Sequence, residues 1–385
     1  MKKVVIFGAG ATGRGHIGQL AYASGYQLVF VDRDEALVRK LAESGRYTVR
    51  LVGPQVREMV VAGFKAYPLR QEEAIAEEIV TCDLVLTAVM AENLAGVAPC
   101  LARGLARRMA LRPGAVLNVI ACENMIGGSA ALREHVLRAL PEGERERVSA
   151  RVGFPNAMIA RVVPAPKADP LFLEAEDYNE WPVDRGAFLG EDPGIDGLLL
   201  VDNLPARLER KLFMHNTGHA VCGYLGWLKG YEVMCDAVRD PWIQGIVRGA
   251  MVESGEALIH KHGFSREEIE AYREGFFPRV ASPLIQDPVA RVIRSPRRKI
   301  GRHERLTGPA CLALDYGIEP RNLALGLAAL LKYRAPDDPE AEEIQRLLKA
   351  HGLAYVLQEV AGVDLGTYKA LLDLVQEAME TIEHR

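Results

Sequence analysis

Val4-Val5-Ile6-Phe7-Gly8-Ala9-Gly10-Ala11-Thr12-Gly13 decides the fold. Four apolar residues without polar alternation read as a strand buried on both faces of a parallel sheet. They run straight into a G-x-G-x-x-G. In such a turn the first glycine bends the chain sharply, the second lets backbone approach a pyrophosphate, and the third lets the next helix pack on the strand. That helix points free N–H groups and its positive end at the phosphates. Here it is expected to run to about Ser24, with Gly25 as its stop. A glycine-rich turn alone is weak evidence, so its context matters. Gln27-Leu-Val-Phe-Val31 is a second strand, ending at Asp32. A carboxylate there accepts both ribose hydroxyls of NAD and repels a 2′-phosphate. Arg33, next to it, leaves room for NADP, and the bland reading of Asp32 is a cap for a helix starting at Asp34-Glu35.

The doubly wound pattern continues. A helix is expected at about 34–43, a strand pair Tyr47–Val52 and Met59–Val61 around Gly53-Pro54, and a helix at 71–79. Strand Asp83–Val89, a helix at about 92–110 and strand Ala115–Ala121 follow. Ligands on such sheets bind beyond the carboxyl ends of the strands. The candidate cofactor contacts are therefore Phe7, Gly8, Gly10, Ala11, Thr12, Gly13, Arg14, Asp32, Arg33, Thr87, Ala88 and Val89. The same rule marks Cys122-Glu123-Asn124-Met125, where Asn124 offers an amide or simply fills a turn. Arg151–Phe154, Arg161–Val163 and Leu171–Ala175 read as added strands, and the stretch from Pro182 to Gly197 as a connection. From Leu204 onward the pattern is almost wholly helical, with segments expected at 205–230, 232–238, 241–262, 265–274, 308–316, 320–332, 338–351 and, with interruptions, 354–382. The fold class is thus an α/β, Rossmann-type doubly wound domain over residues 1–195, followed by an all-α domain over 196–385, with a cleft expected between them.

Bulk properties exclude several classes. The 385 residues are 49% hydrophobic and 25% charged, a globular balance. A net charge of -4 gives no general attraction for nucleic acid or membrane. The apolar start breaks at Gly8-Ala9-Gly10 and continues into Arg14 and His16, unlike a secretory signal. Six scattered cysteines without a C-x-x-C read as reduced thiols of a cytoplasmic protein.

Two stretches of the second half carry candidate chemistry. Lys211-Leu-Phe-Met-His-Asn-Thr-Gly-His219 puts an amine, an amide and an imidazole on one predicted helix. At α-helical spacing His219 falls about 80° round from Lys211 and Asn216 about 140°, so all three can face one cleft. Spacing alone equally allows a solvent lysine, a polar asparagine and a core histidine. The second stretch holds Arg291, Arg294, Arg297, Arg298, Lys299, Arg302 and Arg305, opposed only by Glu304: seven cations in fifteen residues. Such a run is commonly a solvated surface loop. The functional reading is an anion site, most simply for a sugar phosphate at Arg297, Arg298, Lys299, Arg302 and Arg305, because guanidinium forks match phosphate oxygens.

The sequence resembles the polyol-specific long-chain dehydrogenases. The resemblance begins at Phe7-Gly-Ala-Gly-Ala-Thr-Gly-Arg-Gly-His-Ile-Gly18 and continues through Thr87-Ala-Val89, Ile120–Met125 and Asp202-Asn-Leu204. It peaks at Glu209-Arg-Lys-Leu-Phe-Met-His-Asn-Thr-Gly-His-Ala220, then recurs at Gly249–Gly255 and Asp315-Tyr-Gly317. It implies metal-free hydride transfer between an alcohol carbon and NAD, with Lys211 as general base, Asn216 and Asn124 as oxyanion-binding amides and His219 as the active-site histidine. A lysine needs its reference pKa of about 10.4 lowered to serve as a base at neutral pH. Two sites depart from the family pattern. Ala160 stands where an aspartate is usual before Arg-Ile-Val-Pro, and Arg279-Val-Ala-Ser-Pro283 where Arg-Phe-x-Asn-Pro is usual.

The resulting expectation is an NAD-linked interconversion of a hexitol phosphate and a ketose phosphate, mannitol 1-phosphate and fructose 6-phosphate, by a monomer or small homo-oligomer with no nucleic-acid or membrane partner. The alternatives are oxidation of free mannitol, reduction of a sugar acid such as fructuronate or tagaturonate, and a non-catalytic NAD(H) sensor. A zinc enzyme is a further rival, since His215 and His219 are four apart, but no third ligand is evident and no metal is expected.

Overall fold

The computed structural model describes residues 1–53, 55–166, 168–282, 286–335 and 337–383. The chain divides into two compact units, Met1–Arg207 and Leu208–Arg385.

In the first unit the strands in chain order are β1 (Lys3–Phe7), β2 (Gln27–Asp32), β3 (Arg46–Val52), β4 (Val56–Ala62), β5 (Lys65–Pro68), β6 (Leu84–Thr87), β7 (Leu117–Ala121) and β8 (Val152–Gly153), followed by β9 (Phe172–Glu176), β10 (Trp181–Asp184) and β11 (Leu198–Val201). Six of them form a sheet ordered β5-β2-β1-β6-β7-β8, and every pairing in it is parallel. This is the doubly wound order, in which the connection reverses beside the first strand. Val4, Val5, Ile6 and Phe7 are fully buried, as an unbroken apolar central strand requires. Alternate residues of β1 then feed two different cores. Val4 and Ile6 join one cluster, while Val5 and Phe7 join the other on the opposite face.

Three expectations need correcting. Lys65–Pro68, with no expected element, is the edge strand of the main sheet. Four residues ending in proline carry too little pattern to be seen, and an edge is where a sheet tolerates them. Residues 161–163 are not a strand, and Arg161 instead turns inward to bond Gln19 and the Tyr178 carbonyl. The supposed connection starts inside β10 and ends against β11, a parallel pair whose Trp181 is fully buried. Pro54, at the expected β3–β4 turn, lies outside the described residues. The two strands flanking it pair antiparallel, and β9 adds to β3 in parallel.

The second unit is helical around one core. Local signals set its boundaries. Asp240 accepts the N–H groups of Trp242 and Ile243, Pro241 occupies the first helical position, and Gly263 closes Pro241–His262 at φ 71°. Ser265 caps Arg266–Val280 in the same way. Pro320 has no side-chain acceptor for the helix Arg321–Lys332, so Glu253 from the neighbouring helix supplies one. It accepts from Asn322 N at 2.8 Å, Asn322 Nδ2 at 2.7 Å and Leu323 N at 2.9 Å. Burial raises the pKa of this carboxyl, and those bonds oppose the rise. Close helix packing relies on glycine: a Cβ at Gly249 would fall 2.3 Å from the Asn322 side chain. Two short helices, Val289–Ile293 and Pro296–Lys299, were not expected, being shorter than one period of a readable pattern. Among the described residues no helix is long and apolar enough to cross a membrane.

Candidate functional site

At the carboxyl ends of β1 and β2 lies a cavity of about 490 Å³. Its lining includes Phe7, Gly8, Gly10, Ala11, Thr12, Asp32, Arg33, Ala88 and Val89 from the sequence-derived set, and adds Met90, Asn93, Leu69 and Val97. The glycines divide their work. Gly8 sits at φ +100°, and a Cβ there would be 2.3 Å from the Ala88 carbonyl oxygen. Gly13 passes so close to β1 that a Cβ would lie 1.8 Å from the Gly8 oxygen. At Gly10 a Cβ would meet nothing within 4 Å, so this glycine leaves the crevice open instead of relieving a clash. The helix begins at Ala11, and its first-turn amides have no intrahelical acceptor. That open glycine, those amides and the carboxylate at the end of β2 fit a dinucleotide: pyrophosphate at the turn, ribose at Asp32.

Asp32 is held in place by backbone. Oδ2 accepts Ala9 N–H at 2.6 Å and Oδ1 accepts Asp34 N–H at 2.9 Å. The helix cap is Asp34, which accepts from Ala36 and Leu37. Arg33 donates to Asn93 Oδ1 at 3.1 Å, across the mouth of the crevice. Three candidates sit behind this surface. Gly13 acts by packing. Arg14 is 1% exposed, donates to the carbonyls of Ala9 and Pro170 and lies over the Tyr47 ring. Thr87 is buried, its hydroxyl on both oxygens of Glu123 at 2.9 and 2.8 Å.

Glu123 is the group that sequence reasoning passed over. Its buried carboxylate also accepts Val89 N–H at 2.9 Å, which ties the end of β6 to the turn after β7. Burial raises its pKa, opposed by the bonds from Val89 and Thr87. Nothing in Cys122-Glu-Asn-Met125 marks that carboxylate as buried. Asn124, the next residue, is exposed at this strand end.

In the second unit one continuous helix carries Lys211, Asn216 and His219, but it is not α-helical throughout. Lys211–His215 forms a π-helical turn, in which Asn216 N–H donates to the Lys211 carbonyl. A bond from i to i+5 spreads five residues over little more than one turn. It brings Asn216 to about 40–50° from Lys211, with His219 nearly in line, in place of the roughly 140° and 80° of an α-helix. Exposure follows the same division. Lys211, His215, Asn216 and His219 are half-buried on one side, while Phe213, Met214, Thr217 and Gly218 are buried on the other sides.

Phe276 seats both histidines. Its ring lies 5.6 Å from His215 and 5.2 Å from His219, edge to face, and the two imidazoles are 4.5 Å apart. Gly218 makes room for it, since a Cβ there would be 2.8 Å from the Phe276 ring. Burial, then the neighbouring Arg279 charge, lowers the His219 pKa to about 4. Burial followed by the His219 charge holds His215 well below its ordinary value. Both rings are therefore neutral at pH 7, able to accept or donate a hydrogen bond without adding charge. Among the described residues no three His, Cys, Asp or Glu side chains gather as a metal site.

The basic stretch is largely committed to internal partners. Arg291 pairs with Asp287, Arg297 with Glu343 at 2.6 Å, and Arg298 and Arg305 share Glu304 at 3.3 and 3.0 Å. Arg302 lies over the Tyr368 ring and donates to its hydroxyl at 2.9 Å. Lys299 is 4% exposed and turns its ammonium onto the carbonyls of Val292 and Arg294. Burial, then Arg305, brings its pKa down to about 7.

The doubly wound sheet with its glycine crevice, followed by a helical unit, defines the class as a Rossmann-type oxidoreductase that uses a nicotinamide cofactor. The chain belongs to the mannitol dehydrogenase family: the model of the mannitol dehydrogenase Rossmann domain matches residues 2–197, and that of the mannitol dehydrogenase C-terminal domain matches 203–383. It is 42% identical to a mannitol-1-phosphate 5-dehydrogenase of Bacillus licheniformis over 360 residues, covering 93% of this chain and 95% of the relative. A protein of the same name from Brevibacillus brevis is 42% identical, with 94% of each chain covered. Among solved structures, a substrate-free D-sorbitol dehydrogenase superposes with a TM-score of 0.81 at 20% identity, over 99% of this chain and 93% of that one. Pseudomonas fluorescens mannitol 2-dehydrogenase, solved with NAD and D-mannitol, gives 0.67 at 18% identity over 99% and 92%. At such identities these two establish the fold alone.

Proposed function

We propose that this chain interconverts mannitol 1-phosphate and fructose 6-phosphate with NAD. The observation that carries the reading is the 42% identity to mannitol-1-phosphate 5-dehydrogenases over 93–94% of the chain. The choice of NAD over NADP rests on Asp32, whose carboxylate would meet a ribose and repel a 2′-phosphate. The free, buried cysteines suit a reducing compartment, so we place the protein in the cytoplasm.

The chain's own residues take these roles. Lys211 Nζ, unprotonated, takes the hydroxyl proton of the alcohol carbon that is oxidised. Asn216, aligned with it by the π turn, donates its amide N–H to the oxygen as charge develops there, and Asn124 is the second such donor. When bound, the nicotinamide accepts the hydride. His219, kept neutral by desolvation and the Arg279 charge, orients the substrate hydroxyl without competing with Lys211 for the proton. In the reverse direction Lys211 returns the proton to the alkoxide formed from the ketone.

Initial rates with NADH on fructose 6-phosphate, fructose, fructuronate and tagaturonate test the assignment. A clear preference for fructose 6-phosphate is expected. A preference for a sugar acid, or equal rates with fructose, would assign the chain to another branch of the family.

A further inference from the structure

We propose that Arg294 is the guanidinium that takes the substrate's phosphate, and so separates a phosphorylated hexitol from a free one. This rests on the hexitol phosphate reading and identifies the group that would recognise it.

The first argument is positional. Continuing along the helix from His219, Gly223 lies about 40° further round and Gly226 within about 60° of Gly223, so both share the face that carries Lys211, Asn216 and His219. The short helix Val289–Ile293 packs on that face. A Cβ at Gly226 would fall 3.8 Å from Val289, and one at Gly223 would fall 2.8 Å from Ile293. Tyr224 Oη donates to the Ile293 carbonyl at 2.9 Å. As numbering rises from 289 to 293, the contacts descend from 226 to 223. The short helix therefore runs against the long one and heads toward His219, and the first residue past its end is Arg294. The Arg291 and Asp287 charges are both felt at His219, as expected for groups on this side.

The rest of the basic stretch is placed differently. Thr217 Oγ1 donates to the Arg305 carbonyl at 2.5 Å, and a Cβ at Gly308 would meet the Phe213 ring at 2.7 Å. Phe213 and Thr217 sit roughly 150° round from Lys211, so the 305–308 segment covers a face turned away from the trio.

The second argument is which cation is available. Arg291, Arg297, Arg298 and Arg305 each hold a carboxylate, Arg302 holds Tyr368, and Lys299 is buried. Arg294 is exposed, and its hydrogen bond is a long one, 3.4 Å from Nε to the Arg291 carbonyl. Among the described residues no carboxylate pairs with it. An anion facing a helix C-terminus would ordinarily meet unbonded carbonyls. Here Lys299 donates to the Val292 and Arg294 carbonyls from below, which blunts that repulsion and fixes the turn from which Arg294 projects. A terminal phosphate some six bonds from the reacting carbon needs a cation at such a remove from the lysine, not beside it.

The test compares R294Q with R298Q and R305Q, using fructose 6-phosphate and fructose as paired substrates with NADH. R294Q is expected to raise KM for fructose 6-phosphate by about tenfold or more, the loss of one charge-assisted fork, with kcat within about twofold. Its kcat/KM ratio of fructose 6-phosphate to fructose falls correspondingly, and R294K recovers part of it. If R294Q keeps the wild-type ratio, or if R298Q or R305Q loses it instead, the assignment of Arg294 is wrong while the substrate reading stands. If the wild-type protein itself shows no preference for the phosphorylated sugar, the substrate reading fails, and this inference fails with it.

Discussion

Among the described residues three helices contain a π-helical turn, and the first two in chain order differ in what the turn does. Gly13–Gly18 lies behind the nucleotide crevice, and each of its residues is buried. Its glycines let backbone crowd backbone: a Cβ at Gly18 would be 2.5 Å from the Gly13 oxygen, and one at Gly15 2.6 Å from Val163. The distortion serves packing. Lys211–His215 contains no glycine, and its two polar side chains, Lys211 and His215, are half-buried along with Leu212, while Phe213 and Met214 are buried. There the turn rotates functional groups into line. The same backbone event can therefore be structural or chemical, and the side chains it realigns decide which. π turns recur at functional sites, but the turn alone is not evidence of one.

The comparison breaks most readily at Lys211. K211A is expected to lower kcat by about a hundred- to ten-thousandfold, the usual contribution of a general base, while leaving NADH affinity within about twofold by fluorescence titration. Near-normal turnover would make the second π turn no more chemical than the first. D32A should shrink the preference for NAD over NADP by about tenfold or more in kcat/KM, since it removes both the ribose acceptor and the repulsion of a 2′-phosphate. An unchanged preference would place cofactor choice elsewhere, with Arg33 the first residue to examine.

Smaller effects concern how the two helices are seated. G218A drives a methyl group into Phe276, so a loss of about 1–3 kcal/mol in urea unfolding is expected, with kcat falling because both histidines rest on that ring. Lost stability with intact kcat would show that the ring only packs. On the other helix, burial lowers the His16 pKa to about 3. The unfolded chain then takes up the proton first. The contribution to stability is fully present above about pH 6.5 and declines as pH falls toward 3. Between pH 7 and 5 this imidazole alone should cost about 2 kcal/mol, and H16F should flatten that slope in denaturant midpoints.

Legibility also differed between the two regions. Val4–Gly13 could be read because its constraints are local and steric: an apolar run buries, and only glycine fits where a Cβ would lie 1.8 Å from an oxygen. Glu123 was hidden in a stretch already marked as a strand end, since no local pattern reports that a carboxylate will be covered and given N–H and O–H donors by another strand. Lys65–Pro68 was missed for the opposite reason, as an edge strand needs so little apolar pattern that four mixed residues suffice. In the second unit the expected segment 241–262 matches the helix Pro241–His262, because the Asp240 and Gly263 caps that end it act within one turn.

By itself, then, the sequence determined the doubly wound sheet, the glycine crevice, the helical second unit and the residue types able to move a proton and hold an oxygen. These follow from periodicity, backbone sterics and side-chain chemistry, all of which act over a few residues. Tertiary structure alone decided that Lys211, Asn216 and His219 align through a π turn, that Phe276 and burial keep both histidines neutral, and which arginines of a seven-cation stretch are already paired. A helix's winding and an ion's partner depend on what packs against them, and that information is spread over residues far apart in the chain.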